Sequence, residues 1–290
     1  MLVAAAVVFV GTGLVAQTPA TDAPSFEVAS VKPNTSGDGF VRVGGPPGRF
    51  NATNVPLRML IQMAYQIQPF QLEGGPGWIG ADRFDIVAKV GGDVPAPPGP
   101  GVPGPVQLMT RTLLTDRFKL VVHHETKEQA IYALVLARSD GKLGPQLKPS
   151  TTDCAAVAAA RGRSGPPPAL PVPGVRPQCG MMVRPGGLSA GGLSIAQVAT
   201  NLSANVQRIV VDHTGLTGAF DVDLTWTPDQ VPQRAPGAGD GPIQFNGVSI
   251  DPNGPSLFTA LQEQLGLKLE STRGPVDVLV IDRAEKPTED

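Results

Sequence analysis

The alternation of apolar and polar positions predicts the same order of elements twice along the chain. Each run has an amphipathic helix, a strand containing a Phe-Asp pair, a second helix, and two strands. The front helices are predicted over residues 57–65 and 106–116, the rear helices over 195–206 and 256–265. The mixture of helices and strands predicts an α+β fold. An order of elements that occurs twice indicates a duplicated architecture. The fold would contain two similar helix/strand/helix/hairpin units that arose by internal duplication. Its sheet would be antiparallel and its loops rich in proline and glycine.

An alternative stays open, in which two unrelated α+β halves share common patterning. The predicted bounds are a first unit over residues 25–148 (the front half), a Pro/Gly-rich linker over 149–179 and a second unit over 180–290 (the rear half). A signal peptide is predicted over residues 1–20. These bounds follow the stretches in which the 35 glycines and 31 prolines of the chain are concentrated.

Local signals predict how several helices begin and end. Ser194 and Gln197 have the spacing of a capping box, and Pro56 suits the first turn of a helix. Gly266 fits a left-handed cap at a helix end. The front helix has one apolar face, formed by Leu57, Leu60, Ile61 and Ala64.

The strand signals predict two hairpins that follow the second helix of each half. The first joins residues 118–124 to 131–137, and the second joins 267–270 to 276–281 around Arg273-Gly274-Pro275. Glycine-rich turns are predicted between Met181-Met182-Val183 and the capping box.

An uncharged apolar run from Leu2 to Val15 opens the chain. It is short for a membrane span and typical of the hydrophobic region of a signal peptide. No basic residue precedes it, so an uncleaved anchor is the alternative. We therefore predict a periplasmic or secreted protein with no membrane span after signal removal.

The chain has two cysteines, Cys154 and Cys179. In an exported protein an isolated pair predicts a disulfide rather than a metal or redox site. A closed loop of this length would stabilise the fold by about 3 kcal/mol. Two free thiols are the alternative.

The formal net charge is −2, and charged residues make up 17% of the chain. This balance gives no broad electrostatic attraction to nucleic acid, so no nucleic-acid partner is expected. His123 and His124 are adjacent in a predicted strand and would face opposite sides. We therefore predict neither a metal site nor a cofactor.

Several phrases, taken in order, resemble an uncharacterised family of exported proteins from soil bacteria, expanded in acidobacterial genomes. The phrases are Phe26–Asn34, Gly74–Trp78, Arg83–Ile86, Asp116–Leu120, Val211–Gly218, Leu261–Leu269 and Glu285–Thr288. The resemblance implies a domain of unknown function and supplies no catalytic residues. In some relatives a similar domain is attached to a membrane-bound regulatory metallopeptidase of the antibiotic-sensor type. This chain contains no zinc-peptidase motif, so that activity is not carried over.

The helix-hairpin ending is similar, at the level of fold, to short periplasmic modules at the front of secretins and outer-membrane receptors. Those modules bind peptides or partner domains, and the likeness implies a peptide or protein partner.

One motif matches a nucleophile elbow. Gly187-Leu188-Ser189-Ala190-Gly191 has the pattern G-x-S-x-G, which requires a strand directly before the serine and a helix directly after it. Here a Pro-Gly-Gly turn precedes Ser189, and two glycines delay the helix. The prediction is a serine in a turn, with a nucleophile served by His213 as the alternative.

Four residues are candidates for binding a ligand: Trp78, Asp85, His213 and Asp221. Asp85 and Asp221 each follow a phenylalanine at corresponding positions of the two halves. Hydrogen bonding at the edge of a strand is the simpler role for these carboxylates, and acid/base chemistry is the alternative. No catalytic residue is predicted. The sequence favours an exported, non-catalytic binding or interaction module, with strand addition by a peptide as one mode. The alternatives are an extracytoplasmic hydrolase and a sensor or regulatory domain linked to a membrane peptidase.

Overall fold

The computed structural model describes residues 23–37, 39–46, 48–92, 102–161, 175–229, 243–245 and 248–287. The predicted signal peptide lies outside these residues. Helices and antiparallel sheets occur together, so the predicted α+β class is confirmed. None of the described helices combines the length and apolar character that a membrane crossing requires.

The helices are α1 (Leu57–Tyr65), α2 (Trp78–Ala81), α3 (Pro105–Phe118), α4 (Cys154–Arg161), α5 (Ile195–Val206) and α6 (Leu257–Ala260). A 3₁₀ turn covers Pro69–Gln71, and a π-helical turn, Leu261–Leu265, continues α6. The strands are β1 (Val28–Pro33), β2 (Arg42–Gly44), β3 (Arg49–Pro56), β4 (Leu72–Gly74), β5 (Arg83–Lys89), β6 (Val121–Leu136), β7 (Leu147–Pro149), β8 (Gly180–Arg184), β9 (Gly187–Leu193), β10 (Val210–Asp212), β11 (Phe220–Thr225), β12 (Ile243–Phe245), β13 (Val248–Ile250) and β14 (Leu267–Arg283).

The strands form three four-stranded sheets and a small hairpin of β12 and β13. Sheet A has the order β1-β5-β3-β2 and is antiparallel. Sheet C has the order β7-β11-β9-β8 and is also antiparallel. Sheet B has the order β10-β6-β14-β4, and each of its outer strands is parallel to its neighbour. Strands from both predicted halves therefore share sheet B.

Contacts between residues group the chain into two compact units. The smaller unit comprises the described residues within 1–66, 75–121 and 282–290, and the larger unit comprises the described residues within 67–74 and 122–281. Sheet A with α1, α2 and α3 lies in the smaller unit. The predicted division into residues 25–148, 149–179 and 180–290 stays a prediction.

The core of the smaller unit lies between one face of sheet A and the helices α1 and α3. All four predicted apolar positions of α1 are at most 1% exposed. Phe84 from β5 meets Phe118 at the end of α3, with the ring centroids 5.1 Å apart in an edge-to-face arrangement. Burial of an aromatic side chain of this size stabilises a fold by about 2 kcal/mol or more.

The core of the larger unit lies between sheet C, α5 and α6. Its fully buried members include Leu188, Ile195, Leu202, Val222 and Leu224. The capping box is formed as predicted, because the Ser194 hydroxyl accepts from the Gln197 amide and the Gln197 side chain accepts from the Ser194 amide. Gly266 has φ +70° at the end of the π-helical turn, which confirms the left-handed cap.

Two strand predictions were wrong. Residues 121–136 and 267–283 are not hairpins but single long strands, β6 and β14, that lie side by side in sheet B. The Ala137 amide donates to Gly266, and His124 contacts Asp277, so the two strands run in opposite directions. The predicted turn at Arg273-Gly274-Pro275 lies within a strand because its neighbour is the other long strand, far away in sequence.

The region around residues 185–192 also differs from the prediction. Instead of successive turns, Pro185-Gly186 alone makes a tight turn between β8 and β9. The glycines that follow lie within β9. They are needed there because other parts of the chain pass close to the strand, as described below.

Candidate functional site

Asp85 lies in the middle of β5, and its carboxylate holds the adjacent strand β3 in shape. Its Oδ1 accepts from Asn34 Nδ2 at 2.8 Å and from the Asn54 amide at 2.9 Å. Asn54 is buried and has φ +57°, at the place where the register of β3 against β5 shifts. The carboxylate therefore satisfies a buried amide at a β-bulge, which is a structural role.

Trp78 begins α2 in the same unit and lies beside a polar cleft. Its ring meets Phe84 edge to face at 6.3 Å, and Lys286 Nζ lies 5.8 Å from its ring centroid. Lys286 also pairs with Asp82 at 2.6 Å. The cleft has a volume of about 460 Å³ and is lined by Pro33, Asn34, Ala81, Asp82, Arg83, Phe84, Lys286 and Pro287. Asn34 connects this cleft to Asp85, so these two candidates have a common neighbourhood.

Asp221 belongs to the larger unit and occupies the same register position in sheet C that Asp85 has in sheet A. Asp221 is opposite Lys148 on β7, as Asp85 is opposite Lys32 on β1. Its carboxylate accepts from the Gly192 amide at 3.2 Å, again where a strand register shifts. Arg176 approaches both Asp221, at 3.4 Å, and Asp223, at 2.8 Å. The carboxylate is thus engaged in the structure of its own sheet.

The predicted disulfide between Cys154 and Cys179 is confirmed, with Cα atoms 5.6 Å apart. It holds the segment 176–179, here called the strap, against β9. A Cβ atom at Gly191 would overlap the carbonyl oxygen of Pro177, and one at Gly192 would overlap the sulfur of Cys154. The glycines of β9 therefore allow close contact between a strand and the strap.

His213 and Ser189 do not form a catalytic pair. His213 is exposed, and its amide donates to the Leu134 carbonyl. In the part of the chain that the structure describes, its ring has no hydrogen bond to Ser189 or Asp221. Ser189 is buried within β9, opposite Met182 and Asp223. It lies neither in the predicted turn nor at a junction of strand and helix, so the elbow geometry is not formed.

The histidine pair is at the surface of the larger unit. His124 Nδ1 contacts Asp277 Oδ2 at 2.8 Å, and both side chains are 57% exposed. Across the described ranges no three His, Cys, Asp or Glu side chains lie close enough together to hold a metal ion.

A feature that sequence reasoning did not select is the outer edge of sheet C, formed by β8. The two-residue turn Pro185-Gly186 makes Arg184 and Gly187 a hydrogen-bonded pair, and such pairs alternate along antiparallel strands. The main-chain groups of Met181 and Val183 therefore point outward. Val183 is 50% exposed. The signal was present in the sequence, since a Pro-Gly pair follows a short apolar run.

The edge of sheet A offers a contrast. On β1 the Ala29 carbonyl accepts from Arg117 Nη2 at 2.9 Å, and the strand ends at a proline. These features cover an edge against further pairing. The other outer strands, β2, β4, β7 and β10, have three residues each. Among the described sheet edges, β8 therefore offers the longest uncovered pairing surface.

A second cleft adjoins the end of β8. It has a volume of about 240 Å³ and is lined by Arg184, Pro185, Gly186, Thr225, Trp226, Thr227, Ser249, Ile250, Asp251, Gly254 and Pro255. It is smaller than the usual pocket for a drug-sized ligand, about 300–1,000 Å³. Its size and mixed lining suit one amino-acid side chain.

Comparison with known proteins gives a family but no function. A family model described as a protein of unknown function matches residues 58–284. No curated protein matches the chain. No solved structure matches it either.

Proposed function

The chain belongs to the DUF3738 family of proteins of unknown function, and from the geometry of its sheet edges we propose that it is an exported protein that binds an extended peptide segment. The observation that carries the proposal is the edge of β8, which forms no main-chain pairing with any other described strand. A peptide that adds to this edge would bond to the outward main-chain groups of Met181 and Val183. Main-chain bonds of this kind give affinity with little dependence on peptide sequence.

The adjoining cleft supplies selectivity. It begins at Arg184, where β8 ends, so a peptide that continues beyond the strand would place one side chain there. Arg184 and Asp251 provide opposite charges at its lining, while Thr225 and Thr227 provide hydroxyl groups. The preferred side chain is therefore polar or charged and of moderate size.

Export is part of the proposal. The apolar run from Leu2 to Val15 supports it, as does the disulfide, because disulfides persist in oxidising compartments. The periplasmic or secreted location and the soil-bacterial, acidobacterial source that the resemblance implies belong to the same proposal.

The experiment is selection of random displayed peptides on the full chain, followed by titration calorimetry of the enriched peptide. We expect Val183→Pro to weaken binding about tenfold, because it removes one outward N–H donor and crowds the incoming strand. The outward N–H makes no bond within sheet C, so the substitution removes no hydrogen bond between the strands of that sheet.

The matched control is Val183→Ala, which removes the exposed side chain but keeps the donor. Its affinity is expected to stay within about threefold of the parent chain. Circular dichroism and the thermal midpoint check that both variants are folded. The proposal is wrong if no peptide is enriched, or if the proline variant binds as well as the alanine variant.

A further inference from the structure

The outer face of sheet A is open and basic. One face of the sheet packs on α1 and α3 through Val31, Ile86 and Ala88, which are at most 1% exposed. The opposite face, here called the basic face, presents Val28 and Lys32 on β1, Arg42 on β2, Arg49 on β3, and Val87 and Lys89 on β5. Val28 is 63% and Val87 is 54% exposed. These valines have no core role and lie between cations.

The positive charge of this face is only partly neutralised. Lys89 pairs with Glu27 at 2.9 Å. Asp85, opposite Lys32, adds one further negative charge, because its hydrogen bonds to two neutral asparagines do not cancel the charge of the carboxylate. Four cations therefore stand against two carboxylates. In the described part of the chain, Lys32, Arg42 and Arg49 form no ion pair. The whole chain has a net charge of −2, so these cations are a local concentration against the overall balance.

We infer that the basic face docks on an anionic lipid surface. A broad, open sheet face does not enclose a small anion, whereas exposed aliphatic side chains among cations suit the boundary between headgroups and acyl chains. Anionic lipids attract Lys and Arg near the surface. The inference does not depend on the peptide proposal, which concerns a different sheet.

The sequence before β1 also supports an anionic lipid surface as the partner of the basic face. The apolar run ends at Val15, thirteen residues before Val28. Even fully extended, this stretch spans at most about 45 Å. If the run is retained as an anchor, it holds the basic face near the bilayer, and an apolar segment plus a basic patch is the usual pair of signals for stable membrane attachment.

The experiment compares co-sedimentation of the full chain with vesicles of phosphatidylcholine alone and of phosphatidylcholine with phosphatidylglycerol. The measured quantity is the ratio of the two partition coefficients, in which any contribution of the apolar run cancels. Each cation near an anionic surface contributes about a fivefold preference. We expect Arg42→Gln/Arg49→Gln to lower the ratio roughly 25-fold, and added salt to lower it in the parent chain.

The control is Lys119→Gln/Lys142→Gln, which makes the same change in net charge at exposed lysines that are not on the strands of sheet A. Its ratio should match the parent chain. If the double arginine variant fails to fold, Lys32→Gln on the edge strand tests the same face with an expected loss of about fivefold. The inference is overturned if control and arginine variants fall equally, if the parent chain shows no preference for anionic vesicles, or if heparin binds in preference to the vesicles.

Discussion

Replacing Asp85 with alanine is expected to lower the free energy of unfolding of the smaller unit by about 3 kcal/mol. The substitution removes the carboxylate that accepts from the buried Asn54 amide and both bonds donated by the Asn34 side-chain amide. Removing the partner of a buried donor costs about 1–3 kcal/mol, and hydrogen bonds to a charged acceptor contribute more than neutral ones. Because Asn54 has a positive φ, the bulge also loses the contact that fixes it.

The two tryptophans allow this unit to be followed by itself. Trp78 lies in the smaller unit and contacts Phe84, the residue before Asp85, while Trp226 lies in the larger unit. Denaturant titration in a Trp226→Phe background reports on the smaller unit through Trp78 fluorescence. Asp85→Asn keeps one acceptor oxygen and should lose only about 1 kcal/mol. An alanine variant as stable as the asparagine variant would show that the carboxylate does not hold the bulge.

Replacing both cysteines with serine is expected to lower the free energy of unfolding of the larger unit by about 3 kcal/mol. The disulfide closes a loop with a sequence separation of 25 residues, and its loss returns that freedom to the unfolded chain. The ion pairs of Arg176 with Asp221 and Asp223 would remain on the strap, but they are partly exposed and contribute about 1 kcal/mol or less.

The measurement is denaturant titration under non-reducing conditions, followed through Trp226 in a Trp78→Phe background. Arg176→Gln is the matched control, because it removes the ion pairs and keeps the disulfide. We expect it to lose about 1 kcal/mol or less. If the double serine variant unfolds at the same denaturant concentration as Arg176→Gln, the disulfide does not stabilise this unit.

Local signals predicted the helices well. The apolar positions of α1, the capping box of α5 and the glycine cap at Gly266 were all predicted from the spacing of residues within one helix. The long strands were not predicted, because the partner of β6 is β14 and no local pattern specifies a partner that distant. The turn at Arg273-Gly274-Pro275 is a turn by composition only.

The candidate site was predicted only in part. Asp85 and Asp221 were selected as a matching pair, and they do share a register position, but each satisfies its own sheet. Trp78 lies beside a cleft, whereas His213 is exposed and Ser189 is buried in a strand. The edge of β8 was not selected, because whether a strand lies at an edge depends on the whole sheet. Sequence alternation gives the faces of a strand but not its neighbours.

Sheets A and C have matching strand orders, and internal duplication stays an interpretation of that match. In each, the strand with the Phe-Asp pair lies second, next to an outer strand with a Lys-Pro pair. A carboxylate also bonds to the amide of a left-handed residue at a register shift in each, Asn54 in one and Gly192 in the other. Features of this kind can arise from shared ancestry or from the common needs of a bulged antiparallel sheet.

Sheet B joins β4 and β6 to β10 and β14, so its strands alternate in origin between the beginning and the end of the chain. A truncated polypeptide that stopped near residue 150 would leave β4 and β6 without the neighbours they have here. Such a fragment could complete the sheet only by associating with a second polypeptide, as in a swapped homodimer. Because one chain carries both the early strands (β4 and β6) and the late strands (β10 and β14), sheet B forms without association of two polypeptides. Its formation therefore does not depend on protein concentration.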